Sequence, residues 1–166
     1  LTDPEGNGIE VYRDKPKSEW DIREDGEIVG ITKEMDAEGV VAAADSQQSS
    51  FPTGTIVGHV HLKVADLAQT ETFYTQVVGL SLKNNFGNQA KFFAAGDYHH
   101  HIGSNTWMGK GVTPMADNDL GLAYYTFVLP DKEAFESLLT HLEKENVSFT
   151  LESSRRLALL DPNGIQ

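Results

Sequence analysis

Two short runs of residues hold five of the six histidines of this 166-residue chain. The first run, residues 58–64, contains His59 and His61, and the second, residues 98–107, contains His99, His100 and His101 in succession. Neutral imidazole is the commonest nitrogen ligand of divalent zinc, iron, copper and nickel in proteins. The chain therefore carries the side chains of a transition-metal site, and its lack of cysteine limits such a site to histidine and carboxylate ligands.

Alternation along a strand indicates which of these histidines could share a site. Both runs are predicted to be β-strands, in which residues two apart face the same way. His59 and His61 then share one face of the first strand, and His99 and His101 share a face of the second, with His100 opposite. The pattern predicts one ligand from each strand and excludes a site made of all five. Histidines in strands also serve as hydrogen-bonded core or surface residues, so the spacing alone leaves that alternative open.

Composition narrows the classes of partner. The net charge of -12 and the isoelectric point near 4.8 argue against nucleic acid and anionic membranes, which both require clustered lysine and arginine. No apolar run reaches the roughly 18 to 20 residues that span a bilayer, and no signal peptide is visible at the start. The absence of cysteine fits a reducing, cytoplasmic location. We expect a small-molecule substrate, and neither nucleic acid nor a membrane as partner.

The chain divides into three predicted parts. Residues 1–13 are interpreted as the closing strand of a preceding barrel, residues 14–54 as a connector, and residues 55–166 as a barrel of two modules. An Asp-Pro turn followed by Gly and Ile occurs at Asp3 and again at Asp161, which indicates a duplicated unit. After the first turn, residues 9–13 alternate as a strand would. Both ends resemble the interior of a domain, so we expect a chain truncated at both ends.

From residue 55 the predicted order is strand, helix and three strands, and this order repeats with the last strand missing. Asp66 and Asp131 are predicted helix caps, and Gly79 a helix stop. Hairpins between the helices favour an α+β fold over a doubly wound sheet, and two βαβββ modules can close into an open cup-shaped barrel. The predicted strands are residues 56–64, 81–84, 90–95, 100–107, 120–129, 147–152 and 157–160, and the predicted helices are residues 36–44, 67–78 and 131–145.

A family resemblance rests on these same residues. Gly-His-Val-His-Leu-Lys-Val-Ala-Asp-Leu at residues 58–67, with Phe73-Tyr74 and Val78-Gly79-Leu80 after it, resembles the opening strand and helix of the vicinal oxygen chelate superfamily. That superfamily includes glyoxalase I, extradiol dioxygenases and bleomycin-resistance proteins. The sequence His101-Ile102-Gly103 resembles its second histidine strand. Residues 99–107 are most similar to bacterial two-barrel, catechol-2,3-dioxygenase-like members of the glyoxalase family.

The resemblance implies a metal ion held by a histidine on the opening strand, a second histidine, and a glutamate on the last strand. These positions correspond to His59 and His101, with His99 as the alternative second ligand on the same face. The closing glutamate would follow Gln166, and Glu10, after the other Asp-Pro turn, is assigned to the other barrel. The resemblance implies Fe(II) as the expected cofactor, with Mn(II), Zn(II) and Ni(II) left open.

Two histidines and a carboxylate form the ligand set of many non-heme ferrous oxygenases. The resemblance therefore implies extradiol cleavage of a catechol or a related vicinal-oxygen aromatic. Extradiol enzymes also carry an acid-base histidine and a late tyrosine that are missing here, so Tyr124 or Tyr125 is the candidate catalytic hydroxyl, with ordinary packing as its alternative. Two further functions stay open, a glyoxalase-type lyase or isomerase and a metal-free binding protein of the bleomycin-resistance type.

The predicted barrel lacks its closing strand and so exposes a sheet edge. An exposed edge is a template for pairing with another chain. We expect the strand at residues 9–13 to cover this edge or to pair with a neighbouring molecule, and the chain to form a homo-oligomer.

Overall fold

A computed structural model describes residues 1–44, 49–116 and 118–166, and its fold is α+β. No helix in these ranges is both long enough and apolar enough to cross a bilayer. Two short turns of other helix types occur, a 3₁₀ helix at Lys17–Glu19 and a π-helical turn at Phe73–Val77. The remaining elements are strands β1 Val60–Lys63, β2 Ser81–Phe86, β3 Ala90–Ala94, β4 Ile102–Asn105, β5 Thr150–Ser153 and β6 Arg156–Ala158, and helices α1 Ala37–Ala42, α2 Leu67–Thr72 and α3 Lys132–Lys144.

The first four strands form one sheet in the order β1-β4-β3-β2. β1 runs parallel to β4, with His61 opposite Gly103, and the other two pairs are antiparallel. With α2 between β1 and β2, this is the predicted strand, helix and three-strand order of the first module. The parallel pairing places the two histidine runs side by side.

Helix α2 begins where the sequence predicts, and the helical segment that it opens reaches the predicted end. The Asp66 carboxylate accepts hydrogen bonds from the amides of Ala68 and Gln69, which caps the first turn. The helical segment continues through the π-helical turn and stops at Gly79, whose φ of +86° lies in the left-handed region that favours glycine. This segment buries Tyr74 completely against the sheet. The core on this side comprises Leu62, Val64, Leu67, Tyr74, Leu80, Phe93, Ile102 and Ile165.

The second half is less regular than predicted. Asp131 caps α3 by accepting from the Ala134 amide, and β5 pairs with β6, as expected. The predicted strand at residues 120–129 is wrong. Tyr125 N–H donates to Gln166 O, but no strand ladder is present among the described residues of this stretch, since no neighbouring strand pairs along it. A second four-stranded sheet is thus absent from the described residues, and the cup-shaped barrel stays a prediction.

The segment before the sheet contains little regular structure, as predicted for the connector at residues 14–54. Its helix α1 is shorter than the predicted range 36–44, and residues 45–48 of the connector lie outside the described residues. The division of the chain into the three predicted parts stays a prediction. The predicted strand at residues 9–13 is wrong, because this stretch joins no sheet in the described structure.

The two Asp-Pro turns share one geometry, and the duplicated unit that they indicate stays a prediction. In each turn one aspartate oxygen accepts hydrogen bonds from the amides two and four residues later, at 2.8 to 2.9 Å. The glycine three residues after the aspartate has φ of +86° at Gly6 and +83° at Gly164. The surroundings differ, because Asp161 is only 6% exposed and its second oxygen accepts from the buried Tyr74 hydroxyl at 3.2 Å.

The matched turns predict unequal costs of losing the same carboxylate. Asp161→Ala removes the turn and leaves the buried Tyr74 hydroxyl without this acceptor, so we expect a loss of about 2 to 3 kcal/mol in the free energy of unfolding. Asp3→Ala in the exposed copy should cost clearly less, because water replaces the lost hydrogen bonds there. Urea denaturation followed by circular dichroism measures both, and equal losses would contradict the burial argument.

Candidate metal centre

One close pairing of a histidine with a carboxylate beside the sheet joins His59 and Glu10. His59 directly precedes β1, and its side chain is 11% exposed. Its Nε2 lies 3.3 Å from Oε2 of Glu10, while its Nδ1 lies 3.0 Å from the Tyr12 hydroxyl. Two ligands at right angles with bonds of about 2.1 Å are about 3 Å apart. The two atoms therefore have the spacing of neighbouring ligands, and the second ring nitrogen has the polar partner that orients a metal-binding imidazole.

The leading segment reaches this histidine through alternate residues. Glu10, Tyr12 and Asp14 all contact histidines or their neighbours, whereas the intervening Val11 is 58% exposed. The side-chain alternation expected of a strand is thus kept without strand pairing. A Cβ at Gly58 would collide with the Tyr12 hydroxyl, so glycine permits this close approach. Glu10, which the sequence assigns to a preceding barrel, lies against His59.

The three consecutive histidines do not follow the predicted alternation. β4 begins only at Ile102, and residues 99–101 form bends ahead of it. The His100 ring lies 4.4 Å from the His59 ring between centroids, and the His99 ring lies 6.4 Å from it. The prediction that His100 faces away from His59 is therefore wrong, because the two-residue period applies only within an extended strand.

The side chain of His101 lies at the end of β3 instead. Its Nδ1 accepts a hydrogen bond from the Ala95 amide at 3.2 Å, and its ring packs on Tyr98 with centroids 5.0 Å apart. The structure thus brings His59 together with His99 and His100, and the predicted pairing of His59 with His101 has no such contact behind it. Whether His101 or His99 binds a metal stays a prediction.

The face of the sheet opposite the core carries an aromatic surface around His61. The ring is stacked on Trp107 at 5.7 Å and meets Phe92 edge-on at 5.9 Å. Its Nε2 lies 2.8 Å from Nδ2 of Asn105, which donates to it. A Cβ at Gly103, the residue opposite His61 across the parallel pair, would press on this ring. Glycine at that position makes room for the imidazole to lie flat on the sheet.

Burial keeps the central imidazoles neutral. Burial lowers the pKa of His59, although the nearby Glu10 carboxylate opposes this change. Burial, together with the neighbouring histidines, lowers the pKa of His100 to about 3. Only the unprotonated nitrogen of an imidazole binds a metal, and protons compete with the ion for it. Both rings are therefore in the binding form at neutral pH.

The candidate catalytic tyrosines lie elsewhere. Tyr125 is the inward one, and its hydroxyl hydrogen-bonds to that of Tyr74. Burial and the nearby Asp161 carboxylate raise the pKa of Tyr125 to about 12, whereas Tyr124 is 58% exposed. Both line a cavity of about 880 Å³ beside α3 that none of the described histidines lines. The structure does not bring these tyrosines to the histidines, and their catalytic role stays a prediction.

The donor set fits a metal ion only in part. His59 and Glu10 supply two correctly spaced donor atoms of the types that iron, manganese, zinc and nickel accept. Within residues 1–44, 49–116 and 118–166, no three histidine or acidic side chains converge as they stand. His100 has the ring nearest to His59 and is the closest source of a third donor. The sequence pointed to Glu10 but assigned it to the other barrel, although the alternation of residues 10, 12 and 14 was visible.

Comparison with known proteins gives the family of this chain. The sequence profile of the Glyoxalase/Bleomycin resistance protein/Dioxygenase superfamily matches residues 56–166. A protein of Bacillus subtilis (strain 168) named Catechol-2,3-dioxygenase is 41% identical over 164 residues, which are 98% of this chain and 57% of that protein. The chain therefore spans little more than half the length of this curated relative.

Solved structures agree on the fold. A glyoxalase/dioxygenase from Nostoc punctiforme has a TM-score of 0.55 at 17% identity, covering 72% of this chain and 94% of its own. Lactoylglutathione lyase from Agrobacterium tumefaciens has a TM-score of 0.50 at 21% identity, covering 69% and 91%. At these identities the likeness concerns the fold alone. The profile match, which covers more than half of the chain, shows that the chain belongs to the glyoxalase/bleomycin resistance protein/dioxygenase superfamily.

Proposed function

We propose that this protein functions as a metal-dependent dioxygenase that cleaves the ring of a catechol or a related vicinal-oxygen aromatic in the extradiol mode. The observation that carries the proposal is the 3.3 Å approach of His59 Nε2 to Glu10 Oε2. The superfamily includes dioxygenases, and the Bacillus relative is named Catechol-2,3-dioxygenase. Because the chain spans 57% of that relative, the activity is proposed for the whole protein.

The proposed ligands are His59, Glu10 and one imidazole of residues 99–101. Among these three, the His100 ring is nearest to His59, while His99 Nε2 pairs with Asp14 at 3.0 Å. The sequence predicts that His59 pairs with His101. The ring positions support a pairing of His59 with His100 instead. Fe(II) held there would provide open coordination positions for the two oxygens of a vicinal diol and for dioxygen. Mn(II), Zn(II) and Ni(II) accept the same donor types.

The aromatic surface around His61 would bind and orient the substrate ring. His61 packs against both Phe92 and Trp107, and Phe92 also contacts the His100 ring at 4.9 Å between centroids. Planar aromatic molecules stack favourably on such rings. Trp107 is 65% exposed, so one wall of this surface is open to an incoming ligand.

Metal titration tests the His59 and Glu10 assignments. We expect His59→Ala and Glu10→Gln each to weaken Fe(II) binding at least about 10-fold, because each removes a ligand and a lost orienting contact alone costs that much. Isothermal titration under anaerobic conditions measures the affinity. His141→Ala and Glu5→Gln are the controls, since His141 bonds to the Gln76 carbonyl away from the centre. Unchanged binding in both His59→Ala and Glu10→Gln would favour a metal-free binding protein.

Three single variants identify the second imidazole. We expect His100→Ala to reduce Fe(II) affinity more than His99→Ala or His101→Ala, because its ring is nearest to His59. Oxygen uptake with catechol, measured on the Fe(II)-loaded protein, should fall in parallel. If only His101→Ala reduced Fe(II) affinity, His101 would be the second ligand, as the sequence predicts. Isomerisation of a thiohemiacetal without oxygen uptake would favour the glyoxalase-type alternative.

A further inference from the structure

We infer that Asp14 is a positioning residue whose two carboxylate oxygens end two hydrogen-bond chains, and that these chains hold His59 and His100 with a proton on Nδ1 and a lone pair on Nε2. The inference about the two tautomers stands on the contacts alone. Its consequence for metal affinity rests on the proposed function.

The first chain joins Asp14 to His59 through two tyrosines. A carboxylate only accepts hydrogen bonds, so the Tyr98 hydroxyl donates to Asp14 Oδ2 at 2.8 Å. The Tyr98 oxygen is 3.1 Å from the Tyr12 hydroxyl, which is 3.0 Å from His59 Nδ1. One order places a proton in all three contacts of this chain: Tyr12 donates to Tyr98, and His59 donates from Nδ1 to Tyr12. The opposite order puts the His59 proton on Nε2, towards the exposed Glu10 carboxylate at 3.3 Å, and leaves the contact between Tyr12 and Tyr98 without a proton. The first order, whose three contacts are all shorter than 3.3 Å, leaves Nε2 of His59 unprotonated.

The second chain joins Asp14 to His100 through His99. Nε2 of His99 lies 3.0 Å from Asp14 Oδ1 and must donate to it. A neutral imidazole has one donor nitrogen, so Nδ1 of His99 accepts. Nδ1 of His100 lies 2.8 Å from that atom and therefore carries the proton. Nε2 of His100 keeps its lone pair, as Nε2 of His59 does.

The two chains meet on one side chain, and Trp20 covers the meeting point. Its ring packs on His99 at 5.3 Å and on Tyr98 at 6.0 Å between centroids. Its indole N–H donates to the Lys15 carbonyl at 2.9 Å, next to Asp14 in sequence. This packing holds the tyrosine and histidine branches beside a single carboxylate.

Asp14 therefore orients two imidazole rings, those of His59 and His100, so that Nε2 of each can bind a metal ion. The centroids of His59 and His100 are 4.4 Å apart, and Nε2 of His59 faces Glu10. Polar partners of this kind fix the tautomer and orientation of metal-binding histidines, and losing one typically reduces metal affinity 10- to 100-fold. Asp14 would exert this effect without touching the ion.

Nitrogen NMR of the histidine rings tests the tautomers directly. The full chain, labelled with ¹⁵N and free of metal, is examined at pH 8 by long-range ¹H–¹⁵N correlation. We expect Nε2 of His59 and of His100 to show the shift of an unprotonated nitrogen. Asp14→Asn replaces one acceptor by a donor, so one or both rings should gain a proton on Nε2. Asp21→Asn is the control, an exposed aspartate bonded to Arg23.

Tyr98→Phe separates the two chains. It breaks only the tyrosine branch, so His59 should become a mixture of tautomers while His100 stays as in the unaltered protein. A general loss of packing would not change the tautomer of one ring alone. Tyr98→Phe therefore tests the inferred tautomers even if Asp14→Asn does not fold. The inference is overturned if either ring carries its proton on Nε2 before mutation, or if folded Asp14→Asn keeps both tautomers.

Fe(II) titration then measures the consequence for metal binding. We expect Asp14→Asn to bind Fe(II) roughly 10- to 100-fold more weakly and Asp21→Asn to bind it normally. Normal binding by Asp14→Asn with altered tautomers would remove the link to the metal. If the unaltered protein shows the stated tautomers but binds no Fe(II), the proposed function fails and the positioning role of Asp14 stands.

Discussion

The parallel pairing of β1 with β4 is the contact on which the rest of the structure depends. It places Leu62 and Ile102 in the core beneath α2 and turns His61 to the opposite face, against Gly103. The same pairing places residues 99–101, which precede β4, beside the start of β1. The His101 carbonyl accepts a hydrogen bond from the Val60 amide there. Distant histidine runs thus become neighbours because their strands share a ladder.

The two faces of this sheet hold different polar groups. On the core side, Asp161 accepts from the Tyr74 hydroxyl and closes its own turn, which secures the segment before Ile165. Tyr125 belongs to that side as well. On the other side the polar groups are imidazoles, carboxylates and exposed aromatic rings. This separation explains why Tyr125 can pack inward and hydrogen-bond to Tyr74 without reaching the histidines.

Charge and hydrogen bonding link the leading segment to the candidate centre. Glu10 is 76% exposed, so its attraction to the partly buried His59 is weakened by solvent. Asp14 contributes through the direction of hydrogen bonds, which solvent screening does not reverse. Gly58 allows the Tyr12 hydroxyl to approach. The centre therefore depends on residues that lie more than forty positions apart in sequence.

The sequence by itself determined the family, the α+β class, the capped helices and the histidines as the chemical feature, because caps, glycine stops and two-residue alternation are local properties. It also determined the two matching turns at Asp3 and Asp161. Tertiary structure decided which side chains meet. Glu10 reached His59, and His100 displaced His101 as the ring nearest to it, because the bend before β4 ends the alternation. Contacts across such bends depend on how segments pack, which local sequence does not encode.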